Sequence, residues 1–167
     1  MNGTKCEFWM VCKNARICNE VFLAQMLMEA SEICWDVICL SETRAADGEY
    51  ILEGGHSLFC GRGDSVYAGA AILIHKRWVH SIIECKQVSD RIVYVDMIVF
   101  GKKYRIIAVY VPHGGYRVED FTTCFDQLCP WERYEVYDGR RLQYGIRARL
   151  ERRVFARVFD RGEHGSC

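Results

Sequence analysis

Five consecutive segments, 49–59, 67–75, 79–88, 91–100 and 104–111, are rich in β-branched and aromatic residues. Gly54-Gly55, Gly61–Gly63, Ser89-Asp90 and Gly101-Lys102 punctuate them as glycine or charged turns. Side chains branched at Cβ suit a pleated surface, and glycine supplies the backbone freedom of a sharp reversal. This stretch is therefore constrained to a series of hairpin-linked strands.

The flanking segments decide what those strands join. Residues 6–12 (CEFWMVC) form a short apolar run suited to a buried strand. Residues 20–30 (EVFLAQMLMEA) place Val21, Leu23, Ala24, Leu27 and Met28 near helical spacing, with good helix formers between them. Asp36-Val37-Ile38-Cys39-Leu40 predicts a second buried strand, ending at Ser41-Glu42-Thr43-Arg44, and 117–128 (RVEDFTTCFDQL) predicts a second amphipathic helix. The order strand, helix, strand, hairpin series, helix implies a mixed α/β fold. Either one mixed sheet packs against helices, or two sheets pack face to face. From Cys129 the pattern deteriorates: Pro130-Trp131 breaks the helix and 139–161 is rich in arginine. A basic helix over 146–159 is one reading there, with Ile146, Leu150, Val154 and Phe155 on one side.

Charge follows the same division. The 167-residue chain has no net charge, so as a whole it offers no field to nucleic acid. Residues 1–128 carry 13 Lys+Arg against 16 Asp+Glu, net −3, whereas 129–167 carry 9 against 6, net +3, with every cation an arginine. That shift in usage marks a boundary. The ten cysteines form no Cys-x-x-Cys pair, and Cys6, Cys12 and Cys18 lack a second cluster at zinc-ligand distance. Cys34, Cys39, Cys60 and Cys85 sit in or beside apolar runs, as small hydrophobes do, which favours reduced thiols in an intracellular protein, cytoplasmic or nuclear. No stretch reaches the ~20 apolar residues of a membrane span, and the N-terminus lacks the apolar run of a signal peptide. Asn2-Gly3-Thr4 is then an unused glycosylation sequon, and Arg62-Gly63-Asp64 is a turn.

Three short pieces at the ends of expected strands stand out as a set: Asn14-Ala15-Arg16, Ser41-Glu42-Thr43-Arg44 and Val109-Tyr110-Val111-Pro112. Singly, an Asn after a strand is a turn residue, a Glu after an apolar run is a solvated cap, and a strand Tyr is core. In this order and spacing they resemble the endonuclease/exonuclease/phosphatase family. The likeness is to the endonuclease domain of RTE-type LINE retrotransposons and the related craniofacial development protein 2-like proteins. Further matches are Asp36–Leu40, Gly55-His56-Ser57-Leu58-Phe59, Ser89-Asp90-Arg91-Ile92 and Arg105–Tyr110. The resemblance covers roughly residues 5–128.

The resemblance implies an α/β sandwich of mixed β-sheets flanked by helices, here a partial one with the C-terminal half missing. It implies that Glu42 binds the catalytic Mg²⁺, a hard cation that takes oxygen ligands while keeping several waters. Asn14 would help to orient that metal site, and Tyr110 would lie near the scissile phosphate, where its hydroxyl could donate to a developing oxyanion. The family's partner is DNA and its reaction is phosphodiester hydrolysis. His113 stands where such elements often have a small hydroxyl residue, and reads best as a surface loop histidine. The family's Gly-Asp-Phe-Asn segment and Ser-Asp-His triplet do not occur in this chain, and His164 lies between Glu163 and Gly165. In-line attack on a phosphate needs an activated water as well as a metal. The expectation is therefore a truncated, inactive endonuclease-like domain.

The tail can be read in a second frame. Arg140-Arg141-Leu142-Gln143-Tyr144-Gly145 can be encoded by CGG CGA CTT CAA TAC GGN, which one base later reads G-D-F-N-T. Residues 154–166 can likewise be encoded so that the same offset gives S-L-R-E-S-L-T-V-A-N-T-D, whose ending resembles the following strand of these elements. A frame slip between Leu128 and Arg140 would make 129–167 an unrelated tail. Two rivals stand beside this expectation. One is an active nuclease that recruits Asp126, Asp138 or His164. The other is a non-enzymatic nucleic-acid-binding protein that uses the arginine-rich tail. A chain left with an unfinished core would fold poorly and expose Trp9, Trp35 or Trp78.

Overall fold

A computed structural model describes residues 7–45, 47–62, 69–111 and 117–128, together with the backbone of 146–150 and 154–160. The chain opens with β1 (Phe8–Asn14), α1 (Glu20–Ala30) and β2 (Val37–Ser41). β2 lies parallel to β1, with Met10 opposite Val37 and Asn14 opposite Ser41. Parallel neighbours need a crossover between them, and α1 is that crossover. β3 (Gly48–Ile51), β4 (Ser57–Cys60) and β5 (Ala70–Ile74) then add antiparallel strands, β5 against β2. After a 3₁₀ turn at Lys76–Ser81, β6 (Ile82–Ser89), β7 (Ile92–Val99) and β8 (Lys102–Tyr110) form an antiparallel meander, followed by α2 (Val118–Leu128).

β9 (Ile146–Leu150) pairs parallel with β1, and β10 (Val154–Asp160) pairs antiparallel with β8. Among the described residues one sheet therefore runs β3-β4-β5-β2-β1-β9 and the other β10-β8-β7-β6. A basic helix over 146–159, one reading of the sequence, is not what the backbone adopts at 146–150 and 154–159. IRARL and VFARVFD carry arginines between apolar residues, and the backbone at both is extended. The other tail residues lie outside the described set.

The sheets stack face to face with one helix on each outer surface. Phe8, Met10, Cys12, Val37, Cys39, Ile72 and Ile74 of the first sheet pack against Val93, Val95, Met97, Ile106 and Ala108 of the second. The opposite face of the first sheet, with Ile38, Leu40, Leu58 and Leu73, meets Met26 and Ala30 of α1. The opposite face of the second, with Ile92, Tyr94, Ile107 and Val109, meets Cys124 and Leu128 of α2. This layering explains the unbroken apolar runs. Strands β2 and β5 are buried along their whole length, so alternation has no polar face to register. The mixed α/β sandwich with flanking helices is the architecture expected from the sequence.

Local differences have physical causes. Helix α1 has the expected bounds, and the Asn19 Oδ1 caps it by accepting from the Phe22 N–H at 2.9 Å. Its inward stripe is the buried Met26 and Ala30 with the partly buried Leu23 and Leu27, whereas Val21, Ala24 and Met28 are exposed. The segment is apolar around most of its circumference, so spacing alone does not select the inward face. The segment 49–59 is a hairpin of two strands, β3 and β4, turned at Gly54-Gly55. The N-terminal part of 79–88 is 3₁₀ rather than strand, because His75 caps it, its Nδ1 accepting from the Arg77 N–H at 3.2 Å. Cys34 is exposed, in the turn that follows α1, while Cys39 and Cys60 are buried as expected.

One buried carboxylate closes the end of the sandwich opposite Asn14. Asp36, with no exposed surface, accepts from the Trp9 N–H (2.7 Å), Arg77 Nε (2.5 Å) and Trp78 Nε1 (2.5 Å), and pairs with Arg77 Nη2. Trp35 is buried and Trp9 and Trp78 are half-buried, so these three tryptophans do not mark an open core among the described residues. No helix among the described residues is long and apolar enough to cross a membrane.

Candidate functional site

Parallel β1 and β2 end side by side, which places Asn14, the last residue of β1, next to Glu42, the first residue beyond β2. Open α/β sheets present loop residues at the carboxyl ends of parallel strands in this way. The Asn14 Nδ2 donates to Glu42 Oε1 at 2.8 Å, and Asn14 Oδ1 accepts from the Arg16 N–H at 2.9 Å. Both ends of the amide are engaged, so Asn14 holds one carboxylate oxygen of Glu42 in place. Two backbone bonds tie the loops together beneath this pair. The Ala15 N–H donates to the Ser41 carbonyl at 2.9 Å, and the Cys18 N–H donates to the Thr43 carbonyl at 2.7 Å.

The local backbone is strained. Arg16 (φ 57°), Glu42 (φ 53°) and Arg44 (φ 49°) all occupy the left-handed region without being glycine. Each such residue costs on the order of 1 kcal/mol, and strain of this kind concentrates at functional sites. Glu42 is half-buried, and the exposed Arg16 and Arg44 each lie two residues beyond one member of the pair, Asn14 and Glu42 respectively. Thr43 is pinned from below. Its N–H donates to the Gly69 carbonyl at 3.3 Å, and a Cβ on Gly69 (φ 120°) would sit 2.4 Å from Thr43 Oγ1. Only glycine allows that approach. The buried Ser41 and Thr43 hydroxyls flanking Glu42 have no hydrogen-bond partner among the described residues.

Tyr110, the third expected site residue, ends β8 on the other sheet and is buried. Its N–H donates to the Arg91 carbonyl at 2.8 Å, and the Arg91 guanidinium stands 5.2 Å from its ring centre. No hydrogen bond joins Tyr110 to Asn14 or Glu42 among the described residues. Asp126 is exposed on α2. His113, Asp138 and His164 lie outside the described residues.

Among the described residues no group of three His, Cys, Asp or Glu side chains could hold a metal ion. A protein cage for a cation is therefore not formed by them. The donor set does fit a hydrated Mg²⁺, which is bound by one or two carboxylates while waters and phosphate oxygens complete its shell. Glu42 offers a second oxygen, Oε2, beside the one that Asn14 engages.

No family model matches the chain, and no curated protein matches it. Among solved structures it is similar to the endonuclease domain of TRAS1, a telomere-specific non-LTR retrotransposon, at 15% sequence identity and a TM-score of 0.49. The match covers 73% of this chain and 52% of that one, so the chain spans about half the length of the structure that it resembles.

Proposed function

We propose that this chain carries a decayed Mg²⁺-dependent endonuclease-like domain of a LINE-type retrotransposon, of the kind found in RTE elements, whose ligand is DNA. The observation that carries the reading is the Asn14–Glu42 pair, a carboxylate oriented by an amide at the ends of two parallel strands. Glu42 would hold the metal, and Asn14 acts on it as a positioning residue. When bound, Mg²⁺ would polarise a phosphate oxygen and stabilise the leaving oxygen. Arg16, two residues beyond Asn14, and Arg44, two residues beyond Glu42, add positive charge, which suits a polyanionic ligand.

The reading includes loss of turnover. Hydrolysis also requires a base for the attacking water and further phosphate ligands, and the Gly-Asp-Phe-Asn and Ser-Asp-His strings of the family are absent from the sequence. Such residues act as a unit, so one intact carboxylate leaves little rate enhancement.

Mn²⁺ is a paramagnetic probe of such a site. Electron paramagnetic resonance should show weak Mn²⁺ binding to the full chain that is competed by Mg²⁺, lost in Glu42→Gln and weakened in Asn14→Ala. Binding unchanged in Glu42→Gln would overturn the assignment.

A further inference from the structure

Seven cysteines are free among the described residues, and one pair differs from the rest. Cys18 lies in the loop between β1 and α1, and Cys60 is the last residue of β4. The chain brings them together from 42 positions apart, in the apolar cluster under α1. Each thiol shifts the titration of the other. Both line an open pocket of about 390 Å³ whose walls include Leu23, Tyr50, Leu52 and Leu58. Cys18 is partly exposed, whereas Cys60 is 2% exposed.

We propose that Cys18 and Cys60 form a peroxide-reactive dithiol site, in which Cys18 is oxidised first and Cys60 resolves it to a disulfide. The asymmetry of the pair sets the order. The neighbouring Cys60 thiol holds Cys18 below the ordinary thiol range against the opposing effect of burial. Cys18 in turn, together with burial, pushes Cys60 well above that range. The thiolate is the nucleophile of thiol chemistry, and here it is also the more accessible sulfur.

The oxidant is hydrogen peroxide entering through the pocket. The Cys18 thiolate attacks one peroxide oxygen, the O–O bond breaks, and hydroxide leaves and takes up a proton to become water. Cys18 is now a sulfenic acid, oxidised by two electrons. The Cys60 sulfur then attacks Cys18 Sγ and loses its proton, the S–O bond breaks, and a second water leaves. Two thiols and one peroxide give one disulfide and two waters. The other described pair of facing thiols, Cys12 and Cys39 at adjacent positions of β1 and β2, is buried on both sides and lacks this access. Cys34 is exposed and has no cysteine beside it in the apolar clusters. The inference is independent of the nuclease reading.

The test is to treat the full chain with one equivalent of hydrogen peroxide, block the remaining thiols with N-ethylmaleimide, and map tryptic peptides with and without reductant. A disulfide between peptide 17–44 and peptide 45–62 is expected. It should persist in Cys34→Ser, vanish in Cys18→Ser, and return to free thiols with dithiothreitol. In Cys60→Ala, Cys18 should accumulate as a dimedone-reactive sulfenic acid. If Cys60→Ala fails to fold, the Cys18→Ser and Cys34→Ser comparison decides by itself. A cross-link that survives Cys18→Ser, or one lost in Cys34→Ser, would overturn the proposal, as would full maleimide labelling of both cysteines after peroxide.

Discussion

The Asn14 side-chain amide donates to Glu42 Oε1 across 2.8 Å, so a residue at the end of β1 sets the orientation of a carboxylate just beyond β2. The bond joins two positions 28 residues apart and half-buried, where a net contribution of about 1 kcal/mol is the ordinary scale. Asn14→Ala should therefore lower the unfolding free energy by about that amount. Urea titration followed by tryptophan fluorescence would measure it. A loss several times larger would give Asn14 a structural role beyond holding Glu42.

Asp36 is the more dangerous residue to change. It is fully buried and serves as acceptor for the Trp9 N–H, the Arg77 guanidinium and the Trp78 indole. Asp36→Ala leaves the Trp9 N–H and the Trp78 indole without their acceptor, while the half-exposed Arg77 turns to water, which should cost about 1–3 kcal/mol. Lys13→Ala, which breaks the exposed pair with Glu29, should leave the urea midpoint where it is. Equal effects of the two substitutions would contradict the burial argument.

Stability should also fall in mild acid. His56 and His75 meet edge to face with ring centres 4.8 Å apart, and each Nδ1 accepts a backbone N–H, from Lys76 and Arg77 respectively. Burial holds both below the ordinary histidine value of 6.5, helped by nearby positive charge: His75 and Lys76 at His56, and Arg77 and Lys76 at His75. Asp36 opposes the shift at His75. The fold thus favours the neutral rings and binds fewer protons than the unfolded chain. Their stabilisation is complete above about pH 6.5 and is lost as pH falls from there through the lowered folded values. Denaturation midpoints across this window in the parent and in a His56→Asn, His75→Asn double variant would check the sign. A parent whose midpoint rises on acidification would refute it.

Much of the layout was legible from residue order, and the exceptions share a cause. Asn19, the helix formers after it and the turn following Ala30 bound α1 locally, so its ends can be read from sequence. Its inward face is chosen by Ile38, Leu40 and Leu73 on the sheet below, which lie elsewhere in sequence. The pairing of Asn14 with Glu42 was available only through resemblance, because it depends on the register of two parallel strands. The left-handed backbone at Arg16, Glu42 and Arg44 carries no glycine or asparagine signal. Asp36 reads as one polar residue at the head of an apolar run; its role depends on Arg77 and Trp78, about 40 positions away.

The reading of the tail as a frame-slipped segment has a direct consequence at the level of the coding DNA. Sequencing the region for residues 120–167 should find codons in which Arg140–Gly145 hides G-D-F-N-T one base later, as CGG CGA CTT CAA TAC GGN would. Codons that exclude this reading would make 129–167 the chain's own segment and the extended backbone of 146–150 and 154–160 its selected structure.

We propose above that a nuclease-like site persists as an oriented carboxylate without the groups for turnover. Supercoiled plasmid incubated with the purified full chain and Mg²⁺ tests this most directly, with Glu42→Ala as the control. No nicking above that control is expected. Clear nicking by the parent chain that disappears in Glu42→Ala would contradict it and make this a working endonuclease.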